Sequence, residues 1–324
     1  MGSDRGTGVL GGVAAEQAGG ARMTVFRDEP LLEIIAFIRR CLADGAPIEL
    51  AVLDPDRGRG RYAGERVEGH VHRPFRVWVD LAERLGLRLL TPRPGEPPLV
   101  HLRFEPLAPA GAWRGEPSEK YGAGSEFARI DKREDPGFVL DLADALARVA
   151  LPPAPRVLDL GVNTGEPLAL VMQLMPASRV ASATFVGIDH STSALAAARG
   201  RFGDQVQLIE ADLNQLADLA LGRFDLVISI GTLQSAGIDD RALVRRVVQD
   251  HLAPAGAVIF GVPNCRYADG ELAYGARMKN FRQPELGLLV KDVAFYRKYL
   301  QQHHRQVFVT GKNYLLITAV AQPG

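Results

Sequence analysis

The chain has 324 residues, of which 47% are hydrophobic and 23% charged, with Lys+Arg and Asp+Glu both numbering 38. That length fits one large domain or two ordinary ones, and the zero formal charge neither demands nor excludes nucleic acid or a membrane surface as a partner. Two distant cysteines, Cys41 and Cys265, exclude a disulfide framework and a cysteine metal site and fit a cytoplasmic location, and no apolar run approaches the ~20 residues of a membrane span.

Residues 1–22 hold seven glycines and little core material. They read as a disordered leader, with order expected from about residue 24. LLEIIAFIRRCLA (31–43) repeats apolar residues at helical spacing, with Asp28 as its expected cap. IELAVL (48–53) reads as a buried strand, 54–65 as a loop, 75–85 as a helix, and 87–90 and 99–104 as strands. Together, 24–107 form a small α/β accessory module. Residues 91–117 contain seven prolines; 108–118 reads as a linker, and 119–324 as the main domain. Its polar opening leads to a helix, PGFVLDLADALARVA, with Pro136 in the first turn and Asp135 as cap.

From Arg156 strands alternate with helices. The strands are 156–160, 184–189, 206–211, 225–230 and 257–262, followed by 306–311 and 314–320, which are joined by Gly-Lys-Asn. The helices fall near 165–174, 191–200, 213–220, 239–251 and 290–303. This rhythm predicts a doubly wound, mostly parallel seven-stranded sheet ending in an antiparallel hairpin.

The chemistry centres on VLDLGVNTGE (157–166). A buried strand carries Asp159, a tight loop holds Gly161 and Gly165, and a helix follows. Such a loop, at the carboxyl end of a central strand, lies where open α/β sheets bind ligands. The strand TFVGID ends at Asp189, LIEADL places Asp212 just after the third strand, and FDLVISIGTLQS forms the fourth. The loop does not supply the G-x-G-x-x-G expected for a nicotinamide cofactor.

These elements, in this order, resemble the class I (Rossmann-like) S-adenosylmethionine-dependent methyltransferases over residues 150–320. The resemblance implies S-adenosylmethionine as cofactor and S-adenosylhomocysteine as product. It implies that Asp159, Gly161, Asn163 (in place of the middle glycine) and Gly165 cradle the methionine end. Asp189 would accept from the ribose, with His190 beside it. Asp212 and Leu213 would lie at the adenine, and Ser229 would face the cofactor. Asp212 has a rival reading as the cap of 213–220. The fourth strand lacks the Asn/Asp-Pro-Pro-aromatic signature of many amine methyltransferases of bases.

The long insert 263–289 is the expected substrate-recognition segment. Residues 264–312 carry nine Lys/Arg against four Asp/Glu, with Tyr267, Tyr274 and Phe281 interleaved. A phosphate-bearing or anionic partner, nucleic acid included, is therefore left open; a solvated cap is the plainer reading. Tyr121, Tyr267 and Tyr274 are candidate substrate ligands, and Tyr267 and Glu271 are the candidate bases, but no catalytic residue is assigned.

The accessory module echoes the end of the main domain. Each runs helix, strand, Arg/Gly loop, helix, strand, strand, with RYAGE (61–65) in one loop and RYADGE (266–271) in the other. A degenerate half-methyltransferase that packs on the main domain, pairs subunits into a homodimer or helps bind substrate would explain this. The expected function is methyl transfer to a small-molecule or natural-product acceptor. The alternatives are an RNA or protein methyltransferase using the basic 263–312 region, and a cofactor-binding or interaction protein without turnover.

Overall fold

A computed structural model describes residues 15–18, 21–56, 60–108, 119, 122–275 and 286–322. The chain divides into two compact units, Met1–Ala110 with Tyr267–Ala273, and Gly111–Arg266 with Tyr274–Gly324.

The first unit contains β1 (Ala15–Ala18), β2 (Ala21–Val25), α1 (Leu31–Asp44), β3 (Ile48–Leu53), β4 (Arg66–Val67), β5 (His70–Val71), α2 (Phe75–Leu85), β6 (Leu87–Leu89), β7 (Arg93–Pro94) and β8 (Leu99–Pro106). Ile34 and Ile38 of α1, Trp78 of α2 and Leu50, Leu102 and Phe104 of the sheet form its apolar core. Gly45 and Gly86 end the two helices in the left-handed conformation that glycine adopts without strain. Two expectations fail here. Asp28 does not cap α1, because Pro30 occupies the cap position and Asp28 instead pairs with Arg66 at 3.4 Å. The leader expected over 1–23 contains β1 and part of β2; residues 1–14 and 19–20 lie outside the described residues. The edge of β3 explains the ordering. Its unpaired backbone groups accept β2 in parallel, Thr24 opposite Leu50, and β2 in turn pairs with β1.

The second unit contains α3 (Pro136–Ala147), β9 (Arg156–Leu160), α4 (Glu166–Leu174), α5 (Ala177–Ser182), β10 (Thr184–Asp189), α6 (Thr192–Phe202), β11 (Val206–Glu210), β12 (Phe224–Ile230), α7 (Asp240–Arg246) and β13 (Leu252–Pro263). α8 (Leu286–Gln302), β16 (Arg305–Thr310) and β17 (Tyr314–Ala321) follow; between β13 and α8 lie β14 (Cys265–Ala268) and β15 (Glu271–Tyr274), of which Tyr267–Ala273 group with the first unit. Its seven-stranded sheet has the order β11-β10-β9-β12-β13-β17-β16. β9 to β13 run parallel, and β17 pairs antiparallel with both β13 and β16. This is the doubly wound, Rossmann-like architecture the sequence implied. Both faces of the sheet are covered. Ile317 and Ala319 join a core with Tyr296 and Leu300 of α8, while the ring of Tyr314 meets Phe138 of α3 at 5.3 Å. Asp135 caps α3 as expected, accepting from Gly137 N and Phe138 N.

Some local structure differs from expectation. Residues 213–218 form a 3-10 turn rather than a helix, and 239–251 is α7 followed by a π-helical turn. α5 was not expected. The insert folds back as the β14–β15 hairpin, and residues 276–285, Phe281 among them, lie outside the described residues.

The two units share a connectivity. In the first, β2-α1-β3-α2-β6-β8 gives the strand order β2-β3-β8-β6, with β2 and β3 parallel and β8 antiparallel to both neighbours. In the second, β12-α7-β13-α8-β16-β17 gives β12-β13-β17-β16 with the same directions. In chain order, a short hairpin, β4–β5 or β14–β15, follows the second strand of each path.

The β16–β17 hairpin turns at Gly311, at φ 94°, where an added Cβ would run into the carbonyl oxygen of Tyr314. Gly311→Ala should therefore destabilise the protein by about 2 kcal/mol. A urea midpoint unchanged from wild type would show that the turn can relax.

Candidate cofactor site

β9 lies between β10 and β12, so successive crossovers leave its carboxyl end in opposite directions and open a crevice there. The loop 161–165 fills that place. Gly161 N and Val162 N both donate to the carbonyl of Ile188 in β10, at 2.8 and 3.0 Å. Asn163 N donates to Asp189 Oδ2 at 2.9 Å, and Asn163 Oδ1 accepts from Thr164 N at 2.8 Å. Asn163 has φ 50°, a left-handed conformation that Asn tolerates better than most residues. Gly161 and Gly165 have φ 77° and 90°, and a Cβ on them would strike Thr232 and Phe202, respectively. The glycines are thus demanded first by the protein's own packing, a reason the sequence did not reveal.

Asp189 serves the loop and the next helix together. Its Oδ1 accepts from Ser191 N at 2.9 Å, and the exposed His190 places Nδ1 at 3.7 Å from it. Ser191 caps α6 by accepting from Ala194 N, and its hydroxyl donates to Glu119. Glu119 also accepts from the Ser193 hydroxyl, and these hydrogen bonds, that from Ser193 foremost, hold its carboxyl below the usual range. The polar segment before α3 is thereby fastened beside the strand end. Glu119 was not among the expected site residues; its partners lie far along the chain, and no local spacing signals them.

Asp159 is 1% exposed, and its Oδ2 has no hydrogen-bond partner among the described residues. Burial first, then the like charge of Asp189, pushes its carboxyl up to about 8, against the pull of Lys132. Glu166, the first residue of α4, is also buried, but it accepts from Thr164 Oγ1 at 2.6 Å and from Arg201 Nη2 at 2.9 Å. Asp212 is exposed and caps the 3-10 turn by accepting from Asn214 N at 2.9 Å, as its rival reading expected. Leu213 is buried in the core, and the Ser229 hydroxyl donates to Leu160 O at 3.1 Å, tying β12 to β9.

The structure therefore brings together Asp159, Gly161, Asn163, Gly165, Asp189 and His190. Tyr121 lies outside the described residues. Tyr267 and Glu271 group with the first unit, where Arg88 Nε donates to Glu271 Oε1 at 2.9 Å. Tyr274 is 46% exposed, and its carbonyl accepts from Arg266.

A crevice of this kind defines a Rossmann-like ligand-binding domain. Residues 157–256 match the family model described as a methyltransferase domain. The trans-aconitate 2-methyltransferase of Azoarcus sp. (strain BH72) is 34% identical over 120 residues, which cover 37% of this chain and 44% of that protein. Its counterpart from Deinococcus radiodurans is 32% identical over 120 residues, 37% of this chain and 42% of that one. The chain thus spans less than half the length of the curated relatives it matches. A solved S-adenosylmethionine-dependent methyltransferase from Aquifex aeolicus overlaps 60% of this chain and 98% of its own, with a TM-score of 0.42 and 14% identity. Within its second unit, the chain is thus similar to methyltransferase domains over residues 157–256.

The raised Asp159 pKa has a direct consequence. Between about pH 4 and pH 8 the folded protein holds a proton that the unfolded chain releases, so this group's contribution makes stability fall as pH rises through that window. Asp159→Asn should raise the melting temperature of the ligand-free protein by a margin that grows from about pH 5 to about pH 8 and then levels off. A margin independent of pH would show that the carboxyl titrates in the ordinary range.

Proposed function

We propose that the chain is an S-adenosylmethionine-dependent methyltransferase acting on a small-molecule acceptor by in-line displacement. The observation that carries this reading is the pair of buried carboxylates, Asp159 and Asp189, flanking a glycine loop at the ends of adjacent parallel strands. The residues fit the cofactor. Asp159 Oδ2 is buried without a donor among the described residues, and a ligand ammonium would supply one. Asp189 already accepts two backbone N–H groups, and its remaining lone pairs suit ribose hydroxyls. Asp212 and Leu213 are assigned to the adenine edge, and His190 to the rim beside the ribose. Ser229 is assigned a supporting role, because its hydroxyl is spent on Leu160.

The bound cofactor supplies a methyl group on a sulfonium, a good leaving group. The protein's share is then positioning and exclusion of water. Three loop amides fix the loop by donating to β10, two to the Ile188 carbonyl and one to the Asp189 carboxylate, and Glu119 accepts from the Ser191 hydroxyl at the α6 N-terminus.

The names of the curated relatives support a small acceptor. The nucleic-acid alternative loses part of its basis. Arg266 is occupied by the carbonyls of Tyr274 and Gly275, and buried Arg305 donates to Ala253 O and Gly256 O. Neither guanidinium is displayed for a phosphate backbone. The accessory module, with the connectivity of β12–β17, is proposed as a degenerate half-methyltransferase, and a homodimer remains one use for its sheet edge. A cytoplasmic setting completes the reading.

Calorimetric titration with S-adenosylhomocysteine should give micromolar affinity, about −8 kcal/mol, and Asp189→Ala should weaken it by about tenfold or more while remaining folded. A folded wild-type protein that binds neither S-adenosylmethionine nor its product would overturn the proposal.

A further inference from the structure

The tip of the β14–β15 hairpin is part of the first unit, although the chain on either side of it is not. Residues 267–273 group with Met1–Ala110, whereas Arg266 and Tyr274 group with the second unit. The base of the hairpin has fastenings of its own. Gly275 N donates to Asn264 O and Asn264 N to Asn313 O, both at 2.8 Å. Arg266 Nη1 donates to the carbonyls of Tyr274 and Gly275, at 2.6 and 2.7 Å. None of these bonds fixes the tip.

Arg88 takes the tip. Leu87 and Leu89 of β6 join the apolar core with α1 and α2, so strand alternation turns Arg88 to the opposite face. Its Nε donates to Glu271 Oε1 at 2.9 Å, its Nη2 donates to the carbonyl of Asp269, and Asp269 Oδ2 lies 3.4 Å from the same nitrogen. Asp269 Oδ2 also accepts from Ala108 N, just past β8, at 3.2 Å. Glu105 lies opposite Arg88 in the β6–β8 ladder, yet the ion pairs of Arg88 are with Asp269 and Glu271. A lone exposed pair contributes little, and Arg88 is 33% exposed. Here one rigid fork meets three acceptors on two residues of one turn, which fixes orientation as well as distance. We propose that Arg88 is the positioning residue of the acceptor-recognition insert. The accessory module grips the tip of that loop and sets its conformation, and the cofactor site does not depend on the grip. Glu271 is then a fastening of the loop in place of a general base, because a guanidinium holds its carboxylate. The inference rests on the reading above that gives the insert to a methyl acceptor.

Hydrogen exchange of the whole chain, read by mass spectrometry, follows the loop directly, and titration with S-adenosylhomocysteine follows the cofactor site. In Arg88→Met the amides of 267–273 should exchange about fivefold faster or more, while β9 to β13 and the affinity for S-adenosylhomocysteine stay as in wild type. Arg88→Lys, which keeps the charge and loses the fork, should recover part of the protection. Wild type at about 1 M salt, where the screening length falls to about 3 Å, should loosen at the tip and hold at Asn264 and Gly275. If Arg88→Met fails to fold, the salt comparison decides. Unchanged exchange at the tip, in the variant or in salt, overturns the proposal. So does exchange that rises equally over β9 to β13, which would make Arg88 a support of the whole fold. A parallel loss of S-adenosylhomocysteine affinity also overturns it, since the loop would then serve the cofactor. A wild type that binds no S-adenosylhomocysteine is a different failure: it removes the proposed function, and the acceptor role of the loop with it, whatever the tip exchange shows.

Discussion

The glycine loop has no shape of its own apart from β10. The Ile188 carbonyl takes two consecutive loop amides, and Asp189 takes a third. Everything that distinguishes the candidate site follows from this clamp. The loop cannot form unless β9 and β10 pair in register, with Ile188 opposite Leu160. The carboxylate proposed for the ribose is the same group that shapes the proposed methionine cradle. Asp189 also accepts from Ser191, so the α6 N-terminus is set by one residue as well.

The same closeness creates an electrostatic problem. Asp159, Glu166 and Asp189 are all buried at one strand end. Glu166 is offset by Arg201, and it also lies at the start of α4, where the helix dipole favours an anion. Asp189 is solvated by backbone amides. Asp159 has neither remedy among the described residues and tends to keep its proton. Unsolvated carboxyls of this sort are costly to a protein that needs only to fold, and they are what a ligand site retains.

Legibility in the sequence divided along physical lines. Strands β9, β10, β12 and β13 are dense apolar runs bounded by Gly, Asp or Pro, so burial on both faces makes them visible. The Asp135 cap depends on neighbours two and three residues away and was equally plain. The β14–β15 hairpin was read as loop although its signal was present. Asp269 and Gly270, at φ 49° and 82°, form the left-handed pair that a two-residue hairpin turn requires. Glu68 and Gly69, at φ 51° and 77°, do the same for β4–β5, with a first residue that disguises the turn. Of the site, the loop and Asp189 could be found by spacing. Glu119 on Ser191, Arg201 on Glu166 and Thr232 against Gly161 could not, because each joins residues that only the folded sheet brings near.

β17 follows β16 in the chain yet sits between β16 and β13 in the sheet. During synthesis from the N-terminus, β9 to β13 and the crevice they define emerge before the strand that covers the β13 edge. Until Tyr314–Ala321 leaves the ribosome, the apolar stretch Val258–Val262 presents unpaired amides and carbonyls along that edge, and β16 has no neighbour. The nascent domain thus passes through a stage with β9 to β13 built and its sheet still open to foreign strands. The first unit meets the same order of events, since β8 must insert between β3 and β6. The exposed interval of each unit is set by its last strand.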